Sequence, residues 1–175
     1  MSGALAPHWL RTGAARLRRL LLQLTRHGLG AGLAFMAGLA VLQVVLRYVF
    51  ADSITWVEEI SVLVLLWLAW IGAIHLWLDR SHIAVDLLLP DAGPRRDLVA
   101  SVFDLAAIAG GLALAWAAET TLAAFGGVLY GSVEWPGEVK YLPVLVGGAG
   151  IALAGLLNLL AGPDRLEQAD GTERP

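Results

Sequence analysis

Residues 60–78 read ISVLVLLWLAWIGAIHLWL, nineteen positions with no Asp, Glu, Lys or Arg among them. A helix of that length rises about 28 Å at 1.5 Å per residue, close to the ~30 Å of a bilayer's hydrocarbon core. Coiled as a helix, the segment satisfies its own backbone hydrogen bonds and shows lipid an apolar surface on every side. Three more stretches have the same character: 28–46, a longer block within 98–130, and 142–160. Hydrophobic residues make up 58% of the 175, charged residues 15%, and mean hydropathy is +0.70. Soluble domains hold about 45–50% and 25% respectively. The reading is an all-α integral membrane protein with four transmembrane helices. The third block exceeds one span, so it either tilts or lays its last turns along the surface. The first apolar run is longer than the ~7–15 residues of a signal-peptide core, which predicts an uncleaved helix.

Direction follows from the basic residues. Arg11, Arg16, Arg18, Arg19 and Arg26 precede the first span, Arg80, Arg95 and Arg96 lie between the second and third, and Arg165 and Arg174 follow the fourth. Ten of the twelve Lys and Arg thus fall on one side, leaving Arg47 and Lys140 on the other. The positive-inside rule then predicts both termini in the cytoplasm. Trp56, Trp77 and Trp135 stand near span ends, where an amphipathic ring is stable.

Outside the spans, residues 1–27 form a basic cytoplasmic segment. Leu10, Ala14, Leu17, Leu21 and Leu24 recur within it at helical spacing, which predicts an amphipathic helix on the membrane face and a basic inner surface suited to anionic phospholipid. A membrane domain spans 28–162. Within it, His82–Pro90 is too short to cross and reads as an in-plane helix or turn. Residues 163–175 are polar and expected to be a disordered cytoplasmic tail.

Small residues at four-residue steps let helices approach closely in lipid. Gly30, Ala34 and Gly38 do so in the first span, Ala107, Gly111 and Ala115 in the third, and Gly148 with Ala152 in the fourth, with Gly150 and Ala154 as a second pair. These are helix-packing candidates, within the chain or toward another chain. Gln43 and Asn158 are candidates for interhelical hydrogen bonds. Charges in or beside spans are costly and each needs a reason. Glu119 is embedded if the third helix runs on to Tyr130 and interfacial if it ends near Glu119. Asp104, near the inner end, is expected to reach headgroups. Arg47 can pair with Glu58 or Glu59 across the short outer loop, and the two carboxylates also suit a helix N-terminus.

Several function classes drop out. With no cysteine there are no disulfides, thiolate metal sites, thiol catalysis or iron–sulfur clusters. His8, His27, His75 and His82 lie near inner span ends rather than deep in facing helices, against a haem or metal site. No nucleophile, base and acid stand at a readable spacing, so no enzyme is expected. Ser61 and Ser101 read as backbone-bonding residues. No basic face interleaved with aromatics suggests nucleic acid.

A succession of short motifs is more telling than any one of them. Arg47-Tyr-Val-Phe50 ends the first span, and Trp56-Val-Glu-Glu59 opens the second. Trp67 and Trp70 follow, then Gly72-Ala73, then His82-Ile-Ala-Val-Asp86. Trp135-Pro136 precedes Tyr141-Leu-Pro143 at the mouth of the fourth span. From about Gly28 to Leu160 this order resembles the small membrane subunit (DctQ type) of TRAP, or tripartite ATP-independent periplasmic, transporters. The resemblance implies a bacterial inner-membrane protein with no cofactor of its own. It would brace a large permease subunit (DctM type) that binds sodium and an organic acid delivered by a periplasmic solute-binding protein (DctP type). It places Arg47, Trp56, Glu58 and Glu59 on the outer, partner-facing surface, and His82 and Asp86 on an inner loop against the large subunit or headgroups. Two other readings compete: the small subunit of a tripartite tricarboxylate transporter, and a self-contained four-helix exporter. The exporter needs an embedded carboxylate in the first helix, and residues 28–46 contain none.

Overall fold

A computed structural model describes residues 8–49, 55–79, 94–125, 127, 129–130 and 134–161. Its helices are α1 (His8–Val49), α2 (Thr55–Asp79), α3 (Pro94–Phe125) and α4 (Leu142–Ala161). Each contains a stretch long and apolar enough to cross a membrane. Between α3 and α4 a two-residue strand β1 (Leu129–Tyr130) pairs antiparallel with β2 (Trp135–Pro136), and a 3₁₀ turn (Gly137–Lys140) leads into α4. The polar tail and the segment His82–Pro90, with His82 and Asp86, lie outside the described residues.

α4 is the centre of the bundle and packs against α1, α2 and α3, while α1 also packs along α2. Its position follows from its side chains. On α4, Gly147 admits the ring of Trp70, and Gly150 admits Ile74, both from α2. The other flank of α4 meets α3 backbone to backbone. A Cβ added at Gly111 would lie 2.5 Å from the Gly148 carbonyl oxygen and 2.7 Å from the Ala152 nitrogen. One added at Gly148 would lie 2.8 Å from the Ala115 nitrogen, and one at Gly155 2.8 Å from the Asp104 carbonyl oxygen. In lipid, where no hydrophobic force draws helices together, such approach supplies the dispersion contacts that hold them.

The first helix differs from its expected form. It is 42 residues long, about 63 Å, and has no break between the basic segment and the span. The basic segment therefore continues the span rather than lying flat beneath it. Ala14 is buried with Leu78, Ala154 and Leu157, and Leu21 and Leu22 pack against that cluster. Two of the five positions of the amphipathic pattern, Ala14 and Leu21, turn into the bundle, whereas Leu10, Leu17 and Leu24 stay exposed. The physical reason is that the ends of α2 and α4 offer this segment an apolar and polar seat, described below.

The third block also ends earlier than its apolar length allows. α3 stops at Phe125, and Gly127 follows at φ +85°, a left-handed conformation that costs glycine little. Tyr141 then stacks on Phe125, with ring centroids 6.1 Å apart.

Candidate functional site

The most connected polar site lies at the end of the bundle that carries the N-terminal half of α1. The last four carbonyls of any α-helix lack partners within it. Two of those of α2 are met by side chains from other helices. Arg18 Nε of α1 donates to the Leu78 carbonyl at 2.7 Å. Asn158 Nδ2 of α4 donates to the Trp77 carbonyl at 2.8 Å and reaches Asp104 Oδ1 of α3 at 3.5 Å. One knot therefore ties all four helices. Arg18 is 4% exposed, Asp104 6% and Asn158 1%. A guanidinium at a helix C-terminus is also favoured by the helix dipole. Its groups are turned inward and link the helices to one another.

A second link lies further along α1. Thr25 Oγ1 stands 2.8 Å from the Leu21 carbonyl and 2.7 Å from His75 Nδ1 of α2. The hydroxyl has one proton. When it goes to Leu21, His75 must carry hydrogen on Nδ1 and donate to Thr25. At the far end, Gln43 Nε2 approaches Glu58 Oε1 at 3.5 Å. Gln43 and Asn158 thus both reach across helices. Ser61 bonds back to the Val57 carbonyl at 2.7 Å.

The other candidates are placed as follows. Trp56, Glu58 and Arg47 are exposed at the far end, Glu59 is half-buried there, and Arg47 lies just before the end of α1. Ala107, Gly111, Gly148 and Ala152 are buried in the α3–α4 contact. Gly30, Ala34 and Gly38 are exposed, and a Cβ at Gly30 or Gly38 would meet nothing within 4 Å. The contact glycine of α1 is Gly32, beside Leu68. Glu119 is exposed within α3, six residues before its end, next to exposed Trp116. Thr120 and Thr121 beside it both donate to the Ala117 carbonyl at 2.8 Å, which satisfies their hydroxyls inside an apolar helix.

Asp104 is the clearest departure. Expected at headgroup level, it is buried in the knot. The signal was present, since Asp104, Ala107, Gly111, Ala115 and Ala118 share one stripe at steps of three and four. Arg18 carried a similar signal: with Ala14, Leu21 and Thr25 it occupies the opposite face of α1 from Arg16, Arg19 and Arg26. Among the described residues no group of three His, Asp or Glu could hold a metal ion.

Comparison with known proteins gives two matches. A family model described as the DctQ component of tripartite ATP-independent periplasmic transporters matches residues 36–162. That range takes in the last third of α1 and all of α2, α3 and α4. A Haemophilus influenzae protein described as a TRAP transporter small permease is 40% identical over 62 residues, which are 35% of this chain and 38% of the relative.

Proposed function

The chain belongs to the DctQ component family of tripartite ATP-independent periplasmic transporters, a multi-pass protein of the bacterial inner membrane, and we propose that it is the fixed small subunit of such a transporter. The observation that carries this is the family match across the whole of α2, α3 and α4 and the last third of α1. In this reading a separate large permease moves the solute, an organic acid, coupled to sodium. A periplasmic binding protein delivers the solute. This chain enlarges and steadies the immobile part of the assembly.

Its architecture suits that work. The inward polar groups are engaged in tying helices together, and the α3–α4 contact is too close to slide without clashes between backbones. In this reading the Arg18 end and both termini are cytoplasmic, which the distribution of Arg and Lys supports. The far end, with Arg47, Trp56, Glu58 and Glu59, then faces the periplasm, where the binding protein docks. The outer face of α3 is offered to the large subunit. A carboxylate on a helix surface inside an apolar segment needs a donor, and Glu119 beside Trp116 gives that face one specific polar demand.

The test is uptake in cells expressing all three components, with the labelled organic acid that the accompanying binding protein binds in calorimetry. Deleting this chain should abolish uptake, and reversing both charges with Glu58→Lys and Glu59→Lys should reduce it at normal membrane levels. Full uptake without the chain would refute the proposal. Full uptake by the charge-reversed chain would remove only the outer-surface role.

A further inference from the structure

The N-terminal half of α1 carries two kinds of arginine. Arg18 is buried and bonded to the end of α2. Arg16, Arg19 and Arg26 are exposed, together with Gln23. At about 100° per residue these four fall within roughly 80° of arc, on the side opposite Ala14, Arg18, Leu21 and Thr25. They form a ladder along the helix axis, turned away from the bundle. Beside it Leu20 and Leu24 are 63% and 70% exposed.

Depth makes the ladder unusual. Arg26 stands eight residues beyond Arg18, about 12 Å further along α1. Thr25, next to Arg26, meets His75 about one turn before the end of α2, so Arg26 stands at the inner border of the apolar bundle rather than beyond its end. A guanidinium there is costly unless it reaches back to an anion. A phosphate at the level of Gln23 answers this: Arg26 reaches down to it, Arg19 reaches up, and the Gln23 amide is at hand. The exposed leucines beside the ladder then cover acyl chains. The face continues along α1 as Gly30, Ala34 and Gly38, all exposed, with open space beside the two glycines.

We infer that this face of α1 is a binding site for an anionic phospholipid, with the headgroup phosphate held by Arg19 and Arg26, the net negative headgroup favoured by Arg16, and the acyl chains laid along Leu20, Leu24 and the small residues above. An acidic surface of a partner protein would satisfy the charges, but it would not account for the exposed leucines alternating with them. The site stands whether or not the chain assembles with a permease.

The full chain, purified in mild detergent and stripped of lipid, is titrated with phosphatidylglycerol and separately with phosphatidylcholine, and bound lipid is read by native mass spectrometry. The wild type should bind phosphatidylglycerol at least tenfold more tightly than phosphatidylcholine. Each basic residue near an anionic lipid is worth about fivefold, so the triple variant Arg16→Gln, Arg19→Gln, Arg26→Gln should lose about a hundredfold and with it the preference. All three side chains are exposed, so helicity and melting temperature should not change. Should the triple variant fail to insert, Arg19→Gln and Arg26→Gln alone should each lose about fivefold. Equal binding of the two lipids by the wild type, or unchanged phosphatidylglycerol binding by the variants, overturns the site. Loss of a co-expressed large permease with phosphatidylglycerol binding intact would assign the ladder to a protein contact instead, and also overturns it.

Discussion

Two small-residue stripes in this chain look alike in sequence and end in opposite surroundings. Ala107, Gly111 and Ala115 on α3 meet Gly148 and Ala152 on α4 so closely that a methyl group at either glycine would strike backbone. Gly30, Ala34 and Gly38 on α1 have the same spacing and face open space. Small residues permit close approach; they do not cause it. What draws α3 onto α4 is that both faces are flat over several turns and end in a shared polar link, Asn158 to Asp104. The α1 stripe meets no flat counterpart among the described residues. Its helix is held by the opposite face, on α2 through Gly32, Thr25 and Arg18 and in the cluster with α4 through Ala14.

Substitutions can break or sharpen this contrast. The largest effect is expected for Gly148→Leu, because the α3 backbone stands where the side chain would go. Overpacking costs about 1–3 kcal/mol where neighbours can shift, and here the neighbours are main chain. Thermal unfolding in detergent should show a loss at or above the top of that range. A near-neutral result would mean that α3 and α4 are not locked. Next is Arg18→Gln, which removes a buried charged donor from the end of α2. A hydrogen bond of that kind contributes about 1.5–3 kcal/mol, and the same melting experiment should register it. Asn158→Leu should cost about 1 kcal/mol, the usual scale for an interhelical bond in lipid. It should also loosen α3 more than α1, as hydrogen exchange on the two helices would reveal. The smallest effect belongs to Ala34→Leu, expected within about 0.5 kcal/mol of wild type because the side chain enters open space. A destabilisation as large as that of Gly148→Leu would mean that the α1 stripe is buried after all, for instance in a homodimer.

Much of this was legible in the residues. The four spans follow from apolar length, and α4 begins at Leu142, as read. Gln43 and Asn158 were recognisable because a lone amide in an apolar helix needs a partner. The course of α1 was not legible. A basic amphipathic repeat is equally compatible with a helix floating on headgroups and one seated against a bundle. The Leu78 carbonyl, which accepts from Arg18 and which no side-chain pattern displays, decides for the seat. Asp104 was misjudged for a related reason. Its position near the start of a span suggested headgroups, while its membership of the Ala107–Gly111 stripe pointed inward, and the packing constraint won.

The central claim, that this chain is the fixed small subunit of a larger transporter, is tested most directly by expressing it with a large TRAP permease subunit from the same source and purifying it in mild detergent. The account predicts a stable one-to-one complex of the two chains. Recovery of this chain alone as a homo-oligomer, while the permease is well expressed in the same membranes, would contradict it.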